Sequence, residues 1–152
     1  MQLVTTTKNG SKGFSNEYTK AQEEKFLAFA NERWAHLGMK VELFGGRFNP
    51  IDGYIWKDER VYAVIEFKSR PEYRGDDFAI SIRKYLWLMH NSLTTNSYGL
   101  FIVETADGYF VIDADDINTR RQVRSMYKEN VRNRPNDMEP GILIPMQEFK
   151  KI

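Results

Sequence analysis

Two acids and a lysine at the ends of neighbouring apolar runs are the residues in this 152-residue sequence whose types and spacing can do chemistry. Glu66 and Lys68 close the run 61–68, in which Val61, Ala63, Ile65 and Phe67 alternate with Tyr62, Val64, Glu66 and Lys68. As an extended strand, that alternation puts Glu66 and Lys68 on one face, roughly 7 Å apart by strand rise. Asp52 opens the preceding run, 52–56, and shares a face with Tyr54 and Trp56. A hairpin loop of three or five residues sets Asp52 directly across from Glu66, with Tyr54 opposite Val64 and Trp56 opposite Tyr62. A slip of one residue would turn Asp52 to the other face.

Carboxylates crowded at one strand end repel unless a cation sits between them. The chain has no cysteine and only two histidines, His36 and His90, so the available ligands are hard oxygens, which suit Mg²⁺ or Mn²⁺. Such an ion acidifies a bound water and neutralises charge during in-line attack on a phosphodiester. A neighbouring lysine orients or deprotonates that water, or stabilises the pentavalent phosphorus. A third acid comes from upstream, where Phe26, Leu27, Ala30, Trp34 and Leu37 form one helical stripe with Glu23 in its middle. A carboxylate on a core-facing stripe calls for a partner or a metal. Glu24 and Glu17 lie off the stripe; Glu24 takes the role if the helix is rotated.

The elements that must position these groups follow from periodicity and turn residues. A helix is predicted over 15–36, capped by Ser15 and stopped by Gly38. Strands are predicted at 39–44, 52–56 and 61–68, with Gly45-Gly46 and 57–60 as turns and Pro71 as the stop. A second helix, 76–90, places Phe78, Ile82, Tyr85 and Met89 on one face and Asp77, Ser81 and Lys84 on a polar side. A hairpin, 98–105 and 109–113, turns at Ala106-Asp107-Gly108, and a third helix spans 117–131 before a Pro-punctuated tail with an apolar run at 142–144. His36 and His90 fall at helix ends, where a cation favours the dipole. The expected fold class is α/β (α+β), a small mixed β-sheet flanked by helices. The expected organisation is a flexible lead-in, 1–14, and one domain, 15–152.

Composition narrows the function further. With 41% apolar residues and 21 aromatic ones the chain has material for a core, and no apolar run approaches the roughly 20 residues of a membrane span. Residues 1–14 are polar and mildly basic, which predicts no secretory signal and a cytoplasmic location. The lack of cysteine excludes disulfides, thiolate nucleophiles, thiolate-held zinc and iron–sulfur clusters. Net charge is +1, so only the placement of charge is informative. Six basic residues and one acid occupy 117–134. Arg121, Arg124, Lys128 and Arg132 form one helical stripe opposite Val123, Met126, Tyr127 and Val131, which predicts a phosphate-backbone track. Lys57, Arg60, Arg70 and Arg74 are expected to hold phosphates flanking the scissile bond, and Lys84 to reach the site from the second helix.

Taken together, Pro50-Ile51-Asp52, thirteen intervening residues and Glu66-Phe67-Lys68 after an apolar strand resemble the PD-(D/E)XK nuclease superfamily. The resemblance covers 15–113 and implies a restriction-endonuclease-like αβββαβ core. It implies a Mg²⁺-dependent DNA endonuclease, with Mn²⁺ as substitute, that is structure-directed or reads a short site, like resolvases, homing endonucleases and restriction enzymes. Asp52 and Glu66 would be metal ligands, the Phe67 carbonyl a third, Lys68 the catalytic lysine and Glu23 the acid from the first helix. One departure is Ile51, which separates Pro50 from Asp52 where the family pattern has them adjacent. Duplex or branched DNA is the expected partner. A homodimer is expected because two strands need two sites, with Trp87 and 140–152 as contacts. The alternatives are a non-catalytic nucleic-acid-binding or assembly protein that keeps the fold, and an RNA-directed nuclease.

Overall fold

The computed structural model describes residues 11–45, 49–117, 123–127 and 138–152. In chain order the elements are α1 (Ser11–Trp34), a 3₁₀ turn (Ala35–Leu37), β1 (Met39–Leu43), β2 (Gly53–Lys57), β3 (Arg60–Ser69), β4 (Asp77–Ser81), α2 (Ile82–Thr95), β5 (Tyr98–Thr105), β6 (Gly108–Asp113), a second 3₁₀ turn (Ala114–Asp116), β7 (Val123–Tyr127), β8 (Met138–Pro145), a third 3₁₀ turn (Met146–Glu148) and β9 (Lys150–Lys151).

β3 organises the rest because both of its faces are covered. Ala63, Val64 and Ile65 have no accessible surface, as expected of a near-continuous apolar run in a sheet with helices on both sides. The main sheet runs β1-β2-β3-β5-β6-β9. β1, β2 and β3 form an antiparallel meander, and β5 returns parallel to β3 after the α2 crossover. Phe26 and Ala30 of α1 pack with Ala63, Ile65 and Ile102 on one face. Leu88 of α2 packs with Val64, Phe101 and Val103 on the other. This is the expected mixed sheet between helices, in the restriction-endonuclease-like order of helix, three antiparallel strands, helix and parallel strand. Gly38, at φ 72°, ends the α1 segment in the left-handed conformation a glycine adopts at little cost.

The β2–β3 hairpin reaches the expected register by a different route. Its loop is two residues, Asp58 and Glu59, both left-handed with φ of 52° and 62°, as a type I′ turn requires. That loop pairs Lys57 with Arg60 and Trp56 with Val61. Tyr62 is then the extra residue of a bulge, after which Ile55 pairs Ala63, Tyr54 pairs Val64 and Gly53 pairs Ile65. The bulge restores the frame in which Asp52 and Glu66 face each other. It also carries Val61 to the Val64 side of the sheet, against the simple alternation.

Three expectations are overturned. Residues 77–81 are a strand, and α2 begins at Ile82 and continues to Thr95, so His90 lies inside it. Phe78 reads as the first step of a helical face with Ile82, Tyr85 and Met89, but Phe78 and Ile80 pair with Ile144 and Ile142, and burying both rows outweighs a helical extension. Ser81 caps α2 by accepting the Lys84 N–H at 3.4 Å. Residues 123–127 are likewise a strand, in the second sheet β4-β8-β7, not part of a helix over 117–131. The C-terminal segment also contributes to the fold: Ile142, Ile144 and Phe149 are 2%, 0% and 6% exposed and join the α2-side core. Residues 1–10 of the expected lead-in lie outside the described residues, and α1 starts at Ser11, not Ser15.

Candidate active site

Asp52 precedes β2 and continues its ladder: its N–H donates to Ile65 O at 3.0 Å and its carbonyl accepts from Phe44 N–H at 2.7 Å. Its Oδ2 accepts the Phe67 N–H at 2.8 Å, which holds the carboxylate against the Glu66-Phe67-Lys68 segment. Ile51, the residue that departs from the family pattern, is 3% exposed and anchors this turn in the core. Glu66 is 7% exposed. Its Oε2 meets Lys84 Nζ of α2 at 3.0 Å, while its Oε1 is buried and accepts no hydrogen bond among the described residues. Lys68 follows two residues on, half-buried on the same face.

The electrostatics bring the three acids together. Burial first, and then the charge of Asp52, push the Glu66 carboxyl up to about 8; the adjacent Lys84 ammonium works in the other direction. The same two causes, burial and then Asp52, push Glu23 up to about 7. Asp52 is therefore the shared neighbour of an acid from β3 and an acid from α1. Glu24 is exposed, so the helix is rotated as the stripe around Glu23 predicts; the Glu17 side chain lies outside the described residues. What docks α1 here is aromatic: Phe26 stacks on Phe67 with ring centroids 4.6 Å apart and planes within 14°.

Among the described residues, no group of three or more Asp, Glu, His or Cys side chains is gathered closely enough to hold a metal ion. Asp52 and Glu66 alone are a fitting pair, since Mg²⁺ commonly takes one or two carboxylates and keeps several waters. The orphaned Oε1 of Glu66 is the feature that a divalent cation would complete, and the charge of Asp52 beside this buried carboxyl would favour such a cation.

The basic residues divide by position. Arg70 and Arg74 lie at the site's end of the sheet and are exposed; Arg70 N–H is held by Glu104 O at 2.8 Å, and Arg74 lies 3.4 Å from Asp107. Lys84 enters the site itself. Lys57 does not flank it: it sits at the hairpin tip, paired with Arg60, about 16 Å from Asp52 by strand rise. Arg124 belongs to β7, and Arg121, Lys128 and Arg132 lie outside the described residues; the helical stripe that joined them is broken by the strand. Sequence reasoning missed Glu104, a buried acid of β5 that the apolar run 98–105 carries one residue before its end. The signal was an acid in register with Ser69, visible once β3 and β5 are paired.

The raised carboxyls make stability fall with pH. A folded-state value of about 8 against an ordinary 4.5 means that the folded chain binds more protons than the unfolded one between those limits, so stability is lost as pH rises through the window. Glu23, at about 7, acts in the same direction. Glu66→Gln should flatten this slope, melting above the wild type at pH 8.5 and together with it below pH 4.5 in metal-free buffer. A wild type that melts higher than the variant at pH 8.5 would contradict the raised Glu66 carboxyl.

No family model matches the chain, and no curated protein matches it. Among solved structures, the chain is similar to Hjc, a Holliday junction resolvase from Archaeoglobus fulgidus, an archaeal hyperthermophile. The identity is 12%, the match covers 63% of this chain and 82% of that one, and the TM-score is 0.49. Among the described residues, no helix is long and apolar enough to cross a membrane.

Proposed function

We propose that the chain is a Mg²⁺-dependent DNA endonuclease, with Mn²⁺ as a substitute, that hydrolyses phosphodiester bonds in branched DNA or at a short site. The observation that carries this reading is the Asp52 carboxylate pinned to the Phe67 N–H beside a buried Glu66 whose Oε1 lacks a partner, with Lys68 two residues on.

Asp52, Glu66 and the Phe67 carbonyl would hold the ion. When bound, it supplies an acidified water and positive charge for the phosphorane-like transition state. Lys68 orients the attacking water, takes its proton and then faces the developing charge. Glu23 accepts a hydrogen bond from the water layer on the α1 side and fixes its orientation. Lys84 balances Glu66 and keeps that buried carboxyl from being an isolated charge. Arg70 and Arg74 grip phosphates on either side of the scissile bond. A homodimer supplies the second site needed for the second strand, with exposed Trp87 of α2 at the contact.

Supercoiled plasmid and a synthetic four-way junction, each with Mg²⁺ or Mn²⁺, test the reading. The wild type should nick at least one of them, and Asp52→Asn should abolish nicking while still binding DNA. Binding without nicking by the wild type on every substrate and with both ions would leave a non-catalytic nucleic-acid-binding protein instead.

A further inference from the structure

Glu104 is 4% exposed, and both of its carboxylate oxygens are engaged. Oε1 accepts the Ser69 hydroxyl at 2.7 Å, and Oε2 accepts Lys25 Nζ at 2.7 Å. Ser69, Glu104 and Tyr109 lie side by side across β3, β5 and β6. The row is roofed by α1, where Phe26 and Phe29 meet the Tyr109 ring at centroid distances of 5.4 and 4.6 Å. A carboxylate in such a place costs stability that an apolar residue of similar size would not. Its use lies in what it joins: Ser69 adjoins Lys68, and Lys25 is two residues from Glu23.

A helix docked only by aromatic stacking is free to rotate, and one residue of rotation is 100°, enough to exchange Glu23 for Glu24 at the site. Among the described residues, two directional contacts of α1 act against this. Asn31 brackets Val41 of β1, with Oδ1 accepting the N–H at 2.7 Å and Nδ2 donating to the carbonyl at 3.4 Å. Lys25 on Glu104 is the second anchor, two turns upstream and next to the chemistry. We propose that Glu104 is a positioning residue: through Lys25 and Ser69 it fixes the rotation of α1 over the end of β3, so that Glu23 faces Asp52 and the Glu66–Lys68 strand end is held against it. This role rests on the nuclease reading of the site and deepens it.

Three variants test it: Lys25→Met, Lys25→Arg and Glu104→Gln. Lys25 is 60% exposed in its side chain, so Lys25→Met keeps the test alive even if Glu104→Gln fails to fold. Outer partners that orient metal-binding groups typically contribute 10–100-fold in metal affinity or activity. The Mn²⁺ dissociation constant, read from the free-ion paramagnetic resonance signal, should rise about tenfold in Lys25→Met and Glu104→Gln, and kcat for nicking should fall at least as much with KM for DNA within about twofold. Lys25→Arg should restore both. Ile144→Val, a mild core loss in the second sheet, should lower the melting temperature and leave the Mn²⁺ constant unchanged. If the wild type binds Mn²⁺ and nicks DNA while Lys25→Met and Glu104→Gln match it, the positioning role is overturned and the site stands. If the wild type neither binds Mn²⁺ nor nicks any DNA, the nuclease reading falls and takes this role with it.

Discussion

Lys68→Ala should fold as the wild type does and cleave about 10²–10⁴-fold more slowly, the range that a positioned proton-transfer group contributes. The side chain is half-buried at the end of β3, so truncation removes the amino group and some stem packing without opening the core. The loss should therefore fall on kcat, with KM for DNA within about threefold and the melting temperature nearly unchanged. Lys68→Arg should not rescue the rate, because a guanidinium keeps its proton at any working pH and cannot serve as the base. Residual activity has a defined source in Lys84, whose Nζ is 3.0 Å from Glu66, so the double variant should fall to background. Single-turnover cleavage of a nicked-plasmid substrate separates these outcomes. A Lys68→Ala rate within a factor of ten of wild type would remove Lys68 from the chemistry.

The contrast between the two halves of the chain shows what sequence patterning carries. From Asp52 to Lys68 the information is local: one hairpin, a fixed side-chain period and two acids whose faces follow from counting. The count still needed a correction, since a two-residue loop alone would have put Asp52 out of frame with Glu66, and the bulge at Tyr62 restores it. That bulge leaves no signature in a window of alternating apolar residues. Glu23 was legible because the stripe around it has a clear direction, and burial at that position agrees. The second sheet was illegible for a different reason. Phe78 fits the helical spacing of Ile82, Tyr85 and Met89 as well as the strand alternation with Ile80, and the strand's pairing partner, β8, lies about sixty residues away. Non-local pairing decided the state of 77–81 and 123–127, as it did for Glu104, whose partners Ser69 and Lys25 are 35 and 79 residues distant. Single-segment reasoning sees an acid in an apolar strand there and cannot see the clasp.

Phe26→Ala should lower unfolding free energy by about 3–5 kcal/mol, the cost of deleting a fully buried ring together with the cavity it leaves. Phe26 has no accessible surface, is stacked on Phe67 and has Tyr109 tilted against it, so deleting the ring opens a cavity that several neighbours line. The effect exceeds that of an aliphatic core residue because a ring pair adds about 0.5–1.5 kcal/mol beyond area burial. Its consequence for the site is larger than the stability figure suggests. Phe67 carries the N–H that pins Asp52 and lies between Glu66 and Lys68, so the ring beneath α1 ties the helix to the backbone of the reacting strand. Removing Phe26 should release α1 locally before the sheet unfolds, with faster hydrogen exchange over residues 20–34 than over β3 and β5. Nicking should then drop well below the melting temperature, because Glu23 and the Lys25–Glu104 clasp leave with the helix. Phe26→Leu should cost less than Phe26→Ala and keep more activity, since leucine leaves a smaller cavity although it loses the stack. Urea denaturation of the two variants decides the matter: an Ala variant within 1 kcal/mol of wild type means that α1 is held by something other than this ring.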